Sequence, residues 1–83
     1  MKRAPKVGQR VRYYSDNLIE YEKEPRICVG TVMMIYPYRN DALQLMPEKQ
    51  WSAGIQVDRP LPKWWAYGEN DRFAPDVSEL EPI

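Results

Sequence analysis

Ile27-Cys28-Val29-Gly30-Thr31-Val32-Met33-Met34-Ile35-Tyr36 is the stretch whose reading decides the rest. It is the longest run of β-branched, aromatic and other apolar side chains, and it holds no proline, so it reads as a long central strand. Its one glycine, Gly30, sits where a strand can bulge or bend around a small core. Simple alternation sets Val32, Met34 and Tyr36 on one face and Thr31, Met33 and Ile35 on the other. Apolar residues on both faces imply that one face fills the core and the other is partly covered, by loops or by a partner subunit.

Working outward, Lys6–Tyr14 reads as a turn and then a strand, with Val11 and Tyr13 on one face and Arg10, Arg12 and Tyr14 on the other. Ser15-Asp16-Asn17 carries turn chemistry, and Leu18–Arg26 reads as a long, charged, exposed loop cut off from helix by Pro25. On the other side, Pro37–Ser52 is a second long connection. Within it, Asn40-Asp41 can cap a short helix through Met46, or Ala42–Met46 can form a hairpin arm with Leu43 and Leu45 at spacing two; both readings stand. Ala53–Asp58 is a third strand with Ile55 and Val57 inward. Arg59-Pro60-Leu61-Pro62 must leave the sheet. Lys63–Tyr67 is a fourth strand or an aromatic arm, and Arg72-Phe73-Ala74 a short strand. Pro75 can start a single helical turn over 74–78 in which Val77 seals the core, before a last strand, Glu79–Pro82, with Leu80 inward.

Eighty-three residues make one domain, 1–83, with residues 1–5 expected to be a flexible basic lead-in. Eight prolines exclude long helices, and three Trp, six Tyr and one Phe supply bulk to a small core. The net charge is zero, twelve basic against twelve acidic residues, so global charge makes no case for a nucleic-acid binder. The distribution is uneven: Lys2, Arg3, Lys6, Arg10 and Arg12 precede any acid, whereas Glu69, Asp71, Asp76, Glu79 and Glu81 face Arg72 alone. The two ends are expected to be neighbouring strands that neutralise each other. One cysteine, Cys28, and no histidine exclude a disulfide framework and a Cys/His zinc site, and no metal or cofactor is expected. The longest uninterrupted apolar stretch, Val32–Tyr36, is too short for a membrane span, so a soluble cytoplasmic protein without a membrane partner is expected.

Three phrases resemble the SH3-like small barrels, including the Tudor, chromo-barrel and KOW groups. Val7-Gly8-Gln9-Arg10-Val11 is similar to their opening strand, Gly30-Thr31-Val32 to their glycine-entered second strand, and Ala74–Pro82 to their closing helical turn and strand. The resemblance implies an all-β fold: a five- or six-stranded SH3-like barrel with two long loops and one short helical turn before the last strand. A more distant likeness, in length, in Gly8-Gln9-Arg10-Val11-Arg12 and in Leu80-Glu81-Pro82-Ile83, joins it to the plasmid-borne type II dihydrofolate reductases. Those bind folate and NADPH in a tetramer pore through a Val-Gln-Ile-Tyr phrase. Here the corresponding stretch is Arg72-Phe73-Ala74-Pro75, which lacks the glutamine and the tyrosine.

No catalytic constellation is present: Ser15, Ser52 and Ser78 have no histidine to activate them, and no phosphate-cradling glycine loop exists. The informative feature is the aromatics. Tyr14, Tyr36, Tyr38, Trp51, Trp64, Trp65 and Tyr67 lie on or beside loops that would crowd one rim, with Asp58 at a strand end as a carboxylate for an aromatic cage. The expectation is a non-catalytic interaction module binding a peptide or protein partner there. The alternative is a nucleic-acid-binding barrel using Lys6, Arg10 and Arg12 on the basic first strand. Self-association through Met33 and Ile35 is also compatible with the pattern.

Overall fold

The computed structural model describes residues 1–14, 27–60 and 71–83. Five strands are present among them: β1 (Arg10–Tyr14), β2 (Ile27–Tyr36), β3 (Ser52–Val57), β4 (Arg72–Phe73) and β5 (Leu80–Pro82). Single 3-10 turns occur at Glu48–Gln50 and Val77–Glu79. The strands form one sheet in the order β4-β3-β2-β1-β5, antiparallel throughout. The all-β class is as expected. The ladder is open, however: β4 and β5 are its two edges and are not paired with each other. No helix among the described residues is long and apolar enough to cross a membrane. The expected loop at 15–26 and strand or aromatic arm at 63–67 lie outside the described residues.

Alternation builds the dry face. Val11 and Tyr13 of β1, Val32 of β2, Ala53, Ile55 and Val57 of β3, Phe73 of β4 and Leu80 of β5 are buried, and Val77 closes one end. Each Val, Ile, Leu or Phe side chain among them contributes on the order of 1.5–3 kcal/mol when withdrawn from water. The Tyr13 and Phe73 rings meet edge to face, centroids 5.0 Å apart, across the strands that lie between them in the sheet.

Gly30 leaves no room for a side chain between β2 and β3. It pairs with Val11 on one side and Val57 on the other. A Cβ built on it would lie 2.4 Å from the Gln56 carbonyl oxygen and 2.7 Å from Ile55 Cγ2. Only a bare backbone fits there. The bulge itself lies further along, where the pairing with β3 slips between Val32 and Met34. This overturns the alternation expected for β2. Val32 points into the core opposite Ile55, the slip absorbs Met33, and Met34 and Tyr36 then face outward opposite Gly54 and Ser52. Ile35, opposite Ala53, packs against the core instead. An extra residue on one strand reverses the faces of everything after it.

The N-terminal lead-in, expected to be flexible, is tied down. The Met1 nitrogen donates to the Val77 carbonyl at 3.0 Å and to that of Leu80, Ala4 N–H donates to Glu48 Oε1 at 3.0 Å, and Pro5 is buried. A turn follows in which Gln9 N–H donates to the Lys6 carbonyl at 2.9 Å, with Gly8 at φ 92°, a value that excludes most side chains. The two oppositely charged ends are neighbours, as expected: β1 pairs with β5, Arg12 lies opposite Glu81, and their Nε and Oε2 are 3.3 Å apart.

The 38–46 segment is a tight hairpin and contains no helix. Met46 N–H donates to the Tyr38 carbonyl, Arg39 and Leu45 form an isolated bridge, and Leu43 N–H donates to the Asn40 carbonyl. Asn40 makes the turn instead of capping a helix: its Oδ1 accepts from the backbone N–H groups of Ala42 and Gln44, both at 3.0 Å.

Candidate functional site

The candidate site forms where the hairpin stem, the end of β2 and the second 3-10 turn converge. Trp51 sets the base. Its half-buried indole packs against the core, and its Nε1–H donates to the Met46 carbonyl at 2.8 Å, which fastens the hairpin to the sheet. The Trp51 carbonyl in turn accepts from Val77 N–H at 2.8 Å, Ala53 N–H donates to the Pro75 carbonyl, and Ser52 bridges Asp76. The segment leading to β5 is thereby drawn alongside the start of β3. Between it and the hairpin stem lies an open pocket of about 560 Å³, lined by Tyr36, Pro37, Tyr38, Lys49, Asp76 and Ser78 among others.

The two phenols are the large aromatic part of this pocket's exposed lining: Tyr36 is 47% and Tyr38 50% accessible. Tyr36 is held on the outer face by the bulge in β2. Gly54 lies beneath it with no side chain of its own, so that a Cβ there would come within 3.4 Å of Tyr36 Cε2 and 3.7 Å of Met34 Cβ. Met33 and Met34, both more than half exposed, continue the apolar surface along the strand. Lys49 and Asp76 supply one charge of each sign, and neither forms an ion pair with another described residue.

Of the aromatic residues expected at one rim, Tyr36 and Tyr38 are brought together. Trp51 stands behind them as an anchor whose polar atom is already engaged. Tyr14 ends β1 opposite Ile27, at the other end of β2 from Tyr36. Trp64, Trp65 and Tyr67 lie outside the described residues. Asp58 is no carboxylate for this pocket. It follows the far end of β3 from Ser52, about 20 Å away at strand rise. There it forms a two-point pair with Arg10, Nη1 to Oδ1 at 2.8 Å and Nη2 to Oδ2, with Arg10 Nη1 also donating to Thr31 Oγ1. Hydrogen bonding to Arg10 holds the Asp58 carboxyl below its ordinary value and raises the Arg10 guanidinium, against partial desolvation of each. Asp76 takes the place at the pocket that Asp58 was expected to fill.

The basic residues of the first strand are largely spoken for. Arg10 is paired with Asp58 and Arg12 with Glu81, which leaves Lys6 exposed at the turn. Pro37, Lys49, Gln50, Ser52, Asp76 and Ser78 are not among the binding residues expected from the sequence. Asp76 and Ser78 join the site only through the long-range Ser52–Asp76 bridge, for which no local pattern exists. Comparison of the chain with protein-family models, curated proteins and solved structures found no match.

Proposed function

We propose that this chain is a non-catalytic interaction module that takes a short apolar segment of a protein partner into the Tyr36–Tyr38 groove. The observation that carries this reading is the pair of half-exposed phenols, either side of Pro37, over a pocket of about 560 Å³, a volume within the range of specific clefts. Phenol rings give large rigid contact area at low entropic cost, which suits the apolar and proline side chains of a short peptide segment. The strand order, with one 3-10 turn just before β5, supports reading the sheet as a rolled SH3-like small barrel.

The test is to titrate isotope-labelled protein with a panel of proline-containing decapeptides and to follow backbone amide signals. Shifts are expected at 36–38, 49–52 and 76–78, and Tyr38→Ala is expected to weaken binding about tenfold or more, the loss of one good anchor. Binding should tolerate added salt. If the groove signals stay still with every peptide, while oligonucleotides bind with steep salt dependence and are lost in the Arg10→Ala, Arg12→Ala double variant, the reading fails in favour of a nucleic-acid surface.

A further inference from the structure

We infer that the segment this groove accepts is the 39–45 hairpin tip of a second copy of the same chain, exchanged reciprocally so that Leu43 of each copy enters the other's pocket. The inference rests on the groove reading above and names its occupant.

Leu43 is the first reason. It is 75% exposed and sits at φ 60°, the left-handed region that a branched aliphatic side chain rarely adopts. Within one copy neither property helps the fold, since glycine would turn the chain there without strain and without an exposed isobutyl group. The tip is nonetheless well braced. Asn40 Oδ1 accepts from Ala42 and Gln44 N–H, Asn40 Nδ2 donates to Gln44 Oε1 at 3.1 Å, and Arg39 Nη1 donates to the Leu43 carbonyl at 2.9 Å. A leucine held out on a pre-ordered support loses little freedom on docking.

Charge is the second reason. Arg39 and Asp41 lie on the tip, Lys49 and Asp76 at the pocket, and none of the four is ion-paired with a described residue. Each side carries one charge of each sign, so a reciprocal exchange can set Asp41 against the other copy's Lys49 and Arg39 against its Asp76. The chain's net charge of zero adds no repulsion between copies. The third reason is position. Met46 N–H donates to the Tyr38 carbonyl, so the projecting leucine and the receiving pocket share one hairpin stem. A two-fold contact requires such a self-complementary patch. Docking would also cover Leu45, Tyr36 and Tyr38, which are about half exposed.

The experiment is sedimentation equilibrium of the intact chain over a wide concentration range. A monomer–dimer equilibrium is expected. Leu43→Gly should raise the dimer dissociation constant at least about tenfold while the thermal midpoint at low concentration stays level or rises, because the variant relieves the backbone. Asp41→Lys and Lys49→Asp should each weaken the dimer, and combining them should restore it. A monomer at every concentration, or a dimer indifferent to Leu43→Gly, overturns the inference. If such a monomer still shows groove shifts with proline-containing peptides, the groove reading survives and only its occupant is wrong. If the groove is silent as well, both fall.

Discussion

Gly30 shows how little room a small sheet can leave between paired strands. A methyl group there would meet the Gln56 backbone oxygen, which cannot move aside as a side chain end can. Gly30→Ala is therefore expected to cost about 2–3 kcal/mol, the upper range for overpacking, read as a fall in urea midpoint at unchanged m-value. Asp58 gives a second prediction on the same scale. Its carboxyl is held below the ordinary 3.8 by Arg10, so in the folded state it stays ionised at pH values where the unfolded chain already takes up a proton. Its contribution is complete above the ordinary carboxylate range and is lost as pH falls through the depressed value. Thermal midpoints of Asp58→Asn and the parent should differ near neutrality and converge in acid. The gap near neutrality should narrow with salt, because both partners are half-exposed.

Trp51 and the hairpin it fastens are the element on which the groove depends. Trp51→Phe keeps most of the apolar contact but leaves the Met46 carbonyl without its indole donor. A loss of about 1 kcal/mol is expected. Faster amide exchange confined to 38–46 is expected with it, measured by hydrogen exchange. At this scale the chain was partly legible in advance. β1 could be read because one of its faces is dry and the other wet, so Val11 and Tyr13 separate cleanly from Arg10 and Arg12. A single turn before β5 could be read because Val77 and Leu80 are local apolar signals, but Pro75 does not start it: the turn runs Val77–Glu79 after Asp76, and takes in the Glu79 expected in the last strand. The faces of Met34, Ile35 and Tyr36 could not be read, since they depend on a slip in pairing with β3 that leaves no mark on β2 itself. The 38–46 segment stayed ambiguous because Asn40 serves equally as a helix cap and as a turn former. Only the bonds to Ala42 and Gln44 decide between them. Nothing local marks Asp76 as a pocket carboxylate, because the bridge that brings it to Ser52 is long-range.

At the scale of the whole sheet, the two ends of the described chain meet, β1 beside β5. β1 lies between β2 and β5, and Leu80, 1% exposed, plugs the core from the last strand. Leu80→Ala is expected to cost about 2–5 kcal/mol, a large part of what a domain of this size possesses, and so to leave a visible unfolded fraction by circular dichroism at physiological temperature. The same arrangement has a consequence for synthesis. A ribosome delivers the apolar β2 long before residues 80–82 emerge, and until they do, β1 has an unfilled edge and the core has no floor. The nascent chain must therefore wait, with its stickiest segment already outside, for residues 80–82 to supply the edge strand beside β1. Slow translation of the stretch after β3 would lengthen that exposure, and holdase chaperones would have their longest engagement there.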